Sequence, residues 1–234
     1  MADIEKIKTG IQGLDEITMG GIPKNELVLL TGTTGTGKTV MSTQFLYNGA
    51  KNGEKGIYLS FEEPEDYLRR SASVFGWNIP ALEKKGLFSF LRYDPYRISD
   101  VLDILESEIR GAHATRVVID SISALGLYVR NDAELRRMIF DIALTLRKLD
   151  CTTFLTSEIV HGNPGISRYG VEEFVADSVL VLYYERARNL AAFNRAIQVW
   201  KLRGSPHSNK LHTYSITGKG IEVSKEEAII SSNI

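Results

Sequence analysis

The 234-residue sequence has few of the features that mark several large protein classes. It contains one cysteine, Cys151, so no internal disulfide can form and a reducing, cytoplasmic location is expected. The longest apolar run, residues 179–184, is far shorter than the ~20 residues of a membrane helix, and the first residues are charged. We therefore expect neither a membrane segment nor a secretory signal. The net charge of −1 argues against a protein that simply coats nucleic acid.

The chain also has no internal repeat and no linker rich in Pro, Gly or Ser, so it is predicted to form one domain, residues 1–223, followed by a flexible tail, residues 224–234. Short apolar runs rich in branched residues alternate with helical patterns. These runs are residues 26–31, 56–60, 86–91, 116–120, 152–156 and 178–184. Three later runs are hairpin-like: residues 194–202, 211–216 and 221–223. The sequence predicts an α/β fold, with a mainly parallel twisted sheet flanked by helices and antiparallel C-terminal strands.

Two helices are well marked by their apolar periodicity. Residues 98–110 carry one apolar stripe. A second helix follows Asn131, which is predicted to cap it, with Glu134 completing a capping box.

Residues 32–39, Gly-Thr-Thr-Gly-Thr-Gly-Lys-Thr, match the phosphate-loop pattern G-x-x-x-x-G-K-[ST] without a mismatch. The glycines let successive N–H groups face an anion, Lys38 supplies a positive charge, and the Thr39 hydroxyl is a Mg²⁺ ligand. An apolar strand precedes the pattern and a helix follows it, which a Gly-rich turn without function would not need. The sequence therefore predicts a nucleoside triphosphate site. Its binding residues are Thr34, Gly35, Thr36, Gly37, Lys38, Thr39 and Val40.

A carboxylate on the metal side of such a site should end another buried strand. Asp120 ends the run 116–120 and is predicted to hold Mg²⁺ together with Thr39. The alternative is a surface aspartate that caps a turn.

Hydrolysis also needs a group that positions or deprotonates the attacking water. Glu62 and Glu63 directly follow the strand segment 56–61, and adjacent carboxylates raise each other's proton affinity. We predict Glu62 as the residue that activates water and Glu63 as its helper. The alternative is that these acids only favour the N-terminal dipole of the next helix.

Together these residues resemble the RecA-like ATPases, and within them the KaiC-like branch. The resemblance runs from about Lys8 to Val223 and is carried by the phosphate loop and six other segments. These are Lys8-Thr-Gly-Ile-Gln-Gly-Leu-Asp-Glu-Ile, Gly20-Gly-Ile-Pro, Phe61-Glu-Glu, Val118-Ile-Asp-Ser, Arg168-Tyr-Gly-Val-Glu-Glu-Phe and Trp200-Lys-Leu-Arg-Gly-Ser-Pro-His.

The resemblance implies a RecA-like P-loop NTPase fold, with ATP and Mg²⁺ as cofactors. It implies a homo-oligomer, a hexameric ring with ATP between neighbouring subunits. It also implies that Lys201 and Arg203 act on the phosphates of the next subunit and that His207 lies near the ribose or phosphate. Alternate residues of a strand share a face, so Lys201 and Arg203 can reach one target, although a solvated edge strand would show the same pattern.

The segment after the paired glutamates contacts the base in this family, which makes Leu68 and Arg69 candidates for adenine contact. Arg69 could equally be a solvated helix residue. The family's autophosphorylating domain has Ser and Thr where this chain has Glu173 and Phe174, so an ATPase is expected rather than an autokinase.

Residues 161–169 form a loop rich in Gly and Pro that corresponds to the channel-facing loop of RecA-like rings. Arg168 and Tyr169 offer a cation and a stacking face for single-stranded DNA, but nearby acidic residues offset the charge. The leading hypothesis is a slow Mg²⁺-dependent ring ATPase that acts as a nucleotide-driven switch for unidentified protein partners. The alternatives are a DNA-stimulated recombination or repair ATPase, and an assembly scaffold that hardly hydrolyses ATP.

Overall fold

The computed structural model describes residues 4–93, 100–127, 129, 131–160, 162, 165–186 and 193–227. The N-terminal part forms a small antiparallel pair of strands, β1 (Lys6–Ile7) and β2 (Ile22–Pro23), joined through the short helix α1 (Leu14–Ile17). This pair was not predicted, because two-residue strands leave no periodic signal.

One nine-stranded sheet forms the centre of the molecule. Its strands are β3 (Leu27–Gly32), β4 (Gly56–Ser60), β5 (Phe88–Arg92), β6 (Arg116–Asp120), β7 (Thr152–Glu158), β8 (Ser178–Arg186), β9 (Phe193–Leu202), β10 (Leu211–Thr217) and β11 (Gly220–Glu227). The spatial order is β11-β10-β9-β8-β3-β7-β6-β4-β5. Strands β8, β3, β7, β6, β4 and β5 are mutually parallel. Strands β9, β10 and β11 each run antiparallel to the strand before them in the chain.

The predicted mainly parallel sheet with antiparallel C-terminal strands is therefore confirmed. The predicted start of the tail at residue 224 needs correction, because β11 continues to Glu227 and pairs His212 with that residue. Residues 228–234 lie outside the described part of the chain.

Helices cover both faces of the sheet. They are α2 (Lys38–Lys51), α3 (Glu65–Val74), α4 (Ile79–Glu83), α5 (Val101–Ala112), α6 (Asp132–Arg147) and α7 (Glu172–Val175). The first three pack with α1 on one face, where Phe45 of α2 stacks on Phe154 of β7 with ring centroids 4.1 Å apart. Helices α5 and α6 pack on the opposite face. Of the predicted helix 98–110, residues 98 and 99 lie outside the described residues.

The start of α6 shows the predicted cap. The Glu134 N–H donates to Oδ1 of Asn131 at 2.8 Å. The Glu134 carboxylate accepts a hydrogen bond from the Asn131 side-chain amide at 3.2 Å. The box therefore closes through two side chains rather than through the Asn131 backbone.

A buried arginine, Arg116, locks α2 against the start of β6. Its guanidinium donates to the carbonyls of Phe45 and Lys8 at 2.8 and 2.7 Å, and its NH2 group pairs with Glu54 at 2.5 Å. The same group lies 4.6 Å from the centroid of the Phe45 ring. This arrangement needs Gly49 on α2, because a Cβ atom there would lie 2.4 Å from Nε of Arg116.

Replacing Gly49 by alanine is therefore expected to destabilise the fold by about 2–3 kcal/mol, because a buried arginine held by two carbonyls and a carboxylate would have to move. Urea denaturation followed by circular dichroism measures the free energy of unfolding. Gly111 offers a matched control on helix α5, since no atom lies within 4 Å of a Cβ built there. Gly111→Ala should stabilise by up to about 1 kcal/mol through helix propensity. Equal effects of the two substitutions would contradict the packing argument.

Candidate functional site

A cavity of about 310 Å³ opens where β3, β4, β6 and β7 end. The carboxyl ends of parallel strands share one edge of a sheet, so residues far apart in sequence meet there. The sequence-predicted residues that line this cavity are Thr34, Gly35, Gly37, Lys38, Thr39, Glu62, Glu63 and Asp120. The structure thus brings together the predicted phosphate loop, the metal-side carboxylate and the paired glutamates.

The phosphate loop wraps around the start of α2. Gly35 and Gly37 have φ angles of 79° and 90°, a left-handed backbone that favours glycine. Lys38 Nζ donates to the carbonyls of Gly32 and Thr33 at 2.8 and 3.1 Å. Burial lowers the pKa of Lys38 below its ordinary value, and the nearby carboxylates oppose that shift. The lysine is held across the loop, with its charge at the point where helix α2 begins.

Two predicted loop residues serve the packing of the loop instead of lining the cavity. Thr36 is buried, and its hydroxyl donates to the Thr33 carbonyl at 2.8 Å. Val40 packs against the core on the α2 side of the sheet. The Thr36 backbone carbonyl accepts a hydrogen bond from the buried Tyr214 hydroxyl of β10.

Asp120, the last residue of β6, accepts hydrogen bonds from three hydroxyl groups. Thr39 Oγ1 donates to Oδ2 at 3.0 Å, Tyr58 donates to the same oxygen, and Thr156 donates to Oδ1. Burial, and then the charge of Asp120, raise the pKa of Tyr58 well above its ordinary value, so this phenol stays a donor. Thr39 and Asp120, the two residues predicted to hold Mg²⁺, therefore lie within hydrogen-bond distance of each other.

The Thr39 hydroxyl and the Asp120 carboxylate suit a Mg²⁺ ion, which prefers hard oxygen ligands. The Ser121 hydroxyl adds a further oxygen at the cavity: it is buried and has no hydrogen-bond partner in the described structure. Within the described ranges, no group of three or more His, Cys, Asp or Glu side chains could hold a metal alone. An ion at Thr39 and Asp120 would complete its shell with phosphate oxygens and water, as Mg²⁺ usually does.

Glu62 and Glu63 stand at the mouth of the cavity, directly after β4. The Glu63 N–H donates to Oγ of Ser60 at 2.9 Å, which fixes the turn. Desolvation, and then the charge of Glu158, raise the pKa of the Glu62 carboxyl. The Glu63 carboxylate adds to that rise and Lys38 opposes it.

Sequence reasoning missed two residues of the cavity, Glu158 and Ser121. Glu158 ends β7, the strand beside β3, and pairs in register with Gly32. The rule that led to Asp120, an acid at the end of a buried parallel strand, would also have found Glu158. The predicted run stopped at residue 156, and the strand continues for two more residues.

The sequence model of the family described as "ATPase: KaiC" matches residues 7–228. The chain belongs to this KaiC family. It is 37% identical to the UPF0273 protein PH0284 of Pyrococcus horikoshii, over 96% of both chains. It is 35% identical to the circadian clock protein KaiC3 of Synechocystis, where the match covers 92% of this chain and 45% of KaiC3.

A solved structure shows the same fold as this KaiC-family chain. The KaiC-like protein PH0186 of Pyrococcus horikoshii superposes with a TM-score of 0.88 at 34% identity, over 95% of this chain and 100% of that one. The predicted RecA-like α/β fold and the resemblance to KaiC are both confirmed. None of the helices in the described ranges is both long enough and apolar enough to cross a membrane.

Lys201 and Arg203 lie at the opposite end of the KaiC-type sheet from the phosphate loop. Lys201 Nζ donates to the Ala176 carbonyl at 2.6 Å, and Arg203 contacts Asp177 at 3.2 Å. The backbone of Asp177 bonds to Leu27, the first residue of β3. Since β3 reaches the phosphate loop only at its other end, about 16 Å away, these cations do not reach the cavity of their own subunit.

Another cation, Arg195 on β9, does approach the phosphate loop of its own subunit. Its Nε donates to the Gly35 carbonyl at 3.2 Å, and its guanidinium lies 4.3 Å from the centroid of the Tyr184 ring. No sequence motif marks Arg195, because it arrives on an antiparallel strand from far along the chain.

The predicted adenine contacts find no support in the arrangement of α3. Leu68 is buried in the core at 1% exposure. Arg69 is bound by the carboxylates of Glu65, Asp66 and Glu83. Arg69 therefore connects α3 to α4 through ion pairs, and these local carboxylates satisfy its charge. His207 is half-buried beside the Ser205 carbonyl, 3.2 Å from its Nδ1, outside the cavity of its own subunit.

The predicted channel loop is only partly described: His161, Asn163 and Pro164 lie outside the described residues. Arg168 is exposed, as expected. The Tyr169 hydroxyl donates to the Ser123 carbonyl and accepts from the Gly126 N–H, so the ring packs inward. The expectation of a free stacking face at Tyr169 is corrected, because the ring serves the fold.

Proposed function

We propose that the chain is a Mg²⁺-dependent ATPase whose subunits form a ring that is required for turnover, and whose nucleotide state controls partner proteins. One observation carries the proposal: Lys38, the Thr39–Asp120 pair and Glu62 line one cavity. This set covers the three requirements of phosphoryl transfer to water, namely a phosphate cradle, a metal site and a carboxylate near the water.

The phosphate loop would bind the triphosphate. Its N–H groups and the start of α2 direct positive partial charge at the phosphates, and Lys38 adds a full charge. Thr39 and Asp120 would hold Mg²⁺, which neutralises charge on the phosphate oxygens when bound. The hydroxyls of Tyr58 and Thr156 fix the orientation of the Asp120 carboxylate.

Glu62 would accept a proton from the attacking water. Its pKa is raised by desolvation and by the charge of Glu158, which makes it a better base than an ordinary glutamate. Glu63 would help by orienting the water and by keeping the pKa of Glu62 high. An assembly scaffold that does not hydrolyse ATP would have no use for this arrangement.

The remaining positive charge would come from a neighbouring subunit. The cavity holds the carboxylates of Glu62, Glu63, Asp120 and Glu158 against one lysine. Lys201 and Arg203 are too far from their own cavity, so a ring that places them over the next one supplies the missing cations. A hexamer is the ring that the family resemblance implies.

The alternative of a DNA-stimulated ATPase is less favoured, because Tyr169 is bound inward and offers no free stacking face. An autokinase is not proposed either, because Glu173 and Phe174 stand at the family's phosphoacceptor positions and carry no hydroxyl group.

The test is steady-state hydrolysis of ATP by the purified chain, with Mg²⁺, with excess EDTA, and with saturating single-stranded DNA. We expect slow turnover that EDTA abolishes and that DNA changes by less than about twofold. Lys38→Ala, measured in parallel, shows how much activity is contamination. No turnover above that variant would overturn the proposal, and stimulation of about tenfold or more by DNA would establish the alternative.

The pH profile tests Glu62 as the base. Turnover should fall on acidification through the raised pKa of Glu62, because the protonated carboxyl accepts no proton. Glu158→Gln removes a neighbouring negative charge and so lowers the pKa of Glu62, which should move the acid limb to lower pH. Glu106→Gln, on the exposed side of α5, makes the same chemical change and should leave the limb in place. An acid limb that both variants leave unmoved contradicts the assignment.

A further inference from the structure

The carboxylate of Asp177 is buried at the end of the sheet opposite the phosphate loop, with 7% of the residue exposed. Its Oδ2 accepts from the N–H of Leu27 at 3.2 Å, at the first residue of β3. Arg147 of α6 donates to both oxygens, at 3.0 and 3.3 Å, and also to the Val175 carbonyl. Asp177 is therefore fixed to β3 on one side and to α6 on the other.

The same carboxylate meets Arg203, one of the two cations proposed to act on the neighbouring subunit. Arg203 Nη1 donates to Oδ1 of Asp177 at 3.2 Å, and the Arg203 N–H donates to the Asp177 carbonyl at the same distance. Lys201 Nζ donates to the carbonyl of Ala176, the preceding residue. The Arg203 side chain is nevertheless 62% exposed, so it points outward from this anchor.

We infer that Asp177 is a positioning residue, which holds Arg203 in the orientation needed at the phosphates of the next subunit. The inference rests on the proposed function, in which these cations act between subunits.

The charges around Asp177 indicate that it orients Arg203, and that Arg203 is not there to neutralise the Asp177 carboxylate. Arg147 already pairs with Asp177 through two contacts, so the carboxylate does not need Arg203 as its counter-charge. Guanidinium has several N–H groups, and one is used on Asp177, so the others can point at phosphate oxygens. A held arginine loses less rotamer entropy when it reaches its target than a free one does.

The bond to Leu27 adds a second consequence. Strand β3 begins at Leu27, which is hydrogen-bonded to Asp177, and ends at the phosphate loop, so one strand connects the site of a subunit with the arginine that it offers its neighbour. The phosphate loop and Arg203 of one subunit are thereby fixed relative to each other.

The test replaces Asp177 by asparagine, which keeps the shape and can still accept from Leu27 but loses the charge. We expect turnover to fall about tenfold, with ATP affinity, measured with fluorescent ATP, within about threefold of wild type. Asp150→Asn removes the same charge from an exposed surface residue and should have wild-type turnover. Wild-type turnover in Asp177→Asn overturns the inference.

Mixed rings show on which side of the interface Asp177 acts. Lys38→Ala subunits retain Asp177 and Arg203, so mixing them with Asp177→Asn subunits should regain activity. Mixing Asp177→Asn with Arg203→Ala subunits should regain none, because both lack the same half of the site. Equal recovery in the two mixtures overturns the inference even if the composite site itself is correct. Failure of the separate mixture of Lys38→Ala with Arg203→Ala would instead remove the composite site, and this inference with it.

Asp177→Glu serves if the asparagine variant does not fold. It keeps the charge and moves the carboxylate by about one methylene, which displaces Arg203. Turnover should then fall at least about threefold with unchanged ATP affinity, and a wild-type rate would contradict positioning by this residue.

Discussion

Replacing Glu62 by glutamine is expected to lower ATP turnover by at least about 100-fold while ATP affinity stays within about threefold of wild type. Glutamine has nearly the same shape but no basic oxygen at neutral pH, so it removes the proton acceptor and leaves the phosphate loop intact. Phosphate release gives the rate, and fluorescent ATP in the presence of Mg²⁺ gives the affinity.

Two other variants make the expected pattern specific. Glu63→Gln should lower turnover less than Glu62→Gln, since Glu63 helps and does not take the proton. Lys38→Ala should lose ATP binding itself, because the charge at the start of α2 is gone. If Glu62→Gln turned over ATP at the wild-type rate, the base would have to be another carboxylate, and Glu158 would be the first to examine.

Much of the site follows from one property of parallel sheets. The loop at Gly32–Thr39 and the acids at Asp120 and Glu62 each follow a strand that the apolar runs predicted. Because parallel strands end at one edge, their separation in sequence does not matter. Glu158 also lies at the end of a parallel strand. It was not predicted as a site residue because the predicted strand ended at residue 156, two residues before the end of β7.

The residues that could not be predicted owe their position to pairing between distant parts of the chain. Arg116 is charged yet fully buried, and only the fold reveals that Phe45 and Lys8 supply its acceptors. Arg147 meets Asp177 across 30 residues in the same way. No local periodicity records such contacts, because each partner alone is compatible with an exposed site.

Arg69 is a residue for which local ion pairs were overlooked when the family resemblance suggested a role. It has acids three and four residues earlier on the same helix, at the spacing of helical ion pairs. The third acid, Glu83, comes from α4. Adenine contact by Arg69 stays a prediction, and the alternative of a solvated helix residue overlooked the three carboxylates that bind it.

Subunits with Lys38→Ala and subunits with Arg203→Ala are each expected to lose nearly all turnover, by at least about 100-fold, yet to regain activity when mixed in one ring. Lys38→Ala inactivates the phosphate loop of its own subunit and keeps the cations offered to the neighbour. Arg203→Ala does the reverse. An interface is active when the loop comes from an Arg203→Ala subunit and the cations come from a Lys38→Ala subunit.

In a random equimolar mixture this arrangement occurs at about a quarter of the interfaces, so about a quarter of wild-type turnover should return. Native mass spectrometry of subunits that carry different tags verifies that mixed rings form. A chain carrying both substitutions is the control: mixed with Lys38→Ala it provides no intact loop, and no activity should return. Absence of recovery in verified mixed rings would show that Arg203 acts within its own subunit. That result would conflict with the distance along β3: Arg203 is bound to Asp177, which is hydrogen-bonded to Leu27 at the start of β3, and the phosphate loop lies ~16 Å away at the other end, so recovery is the expected outcome.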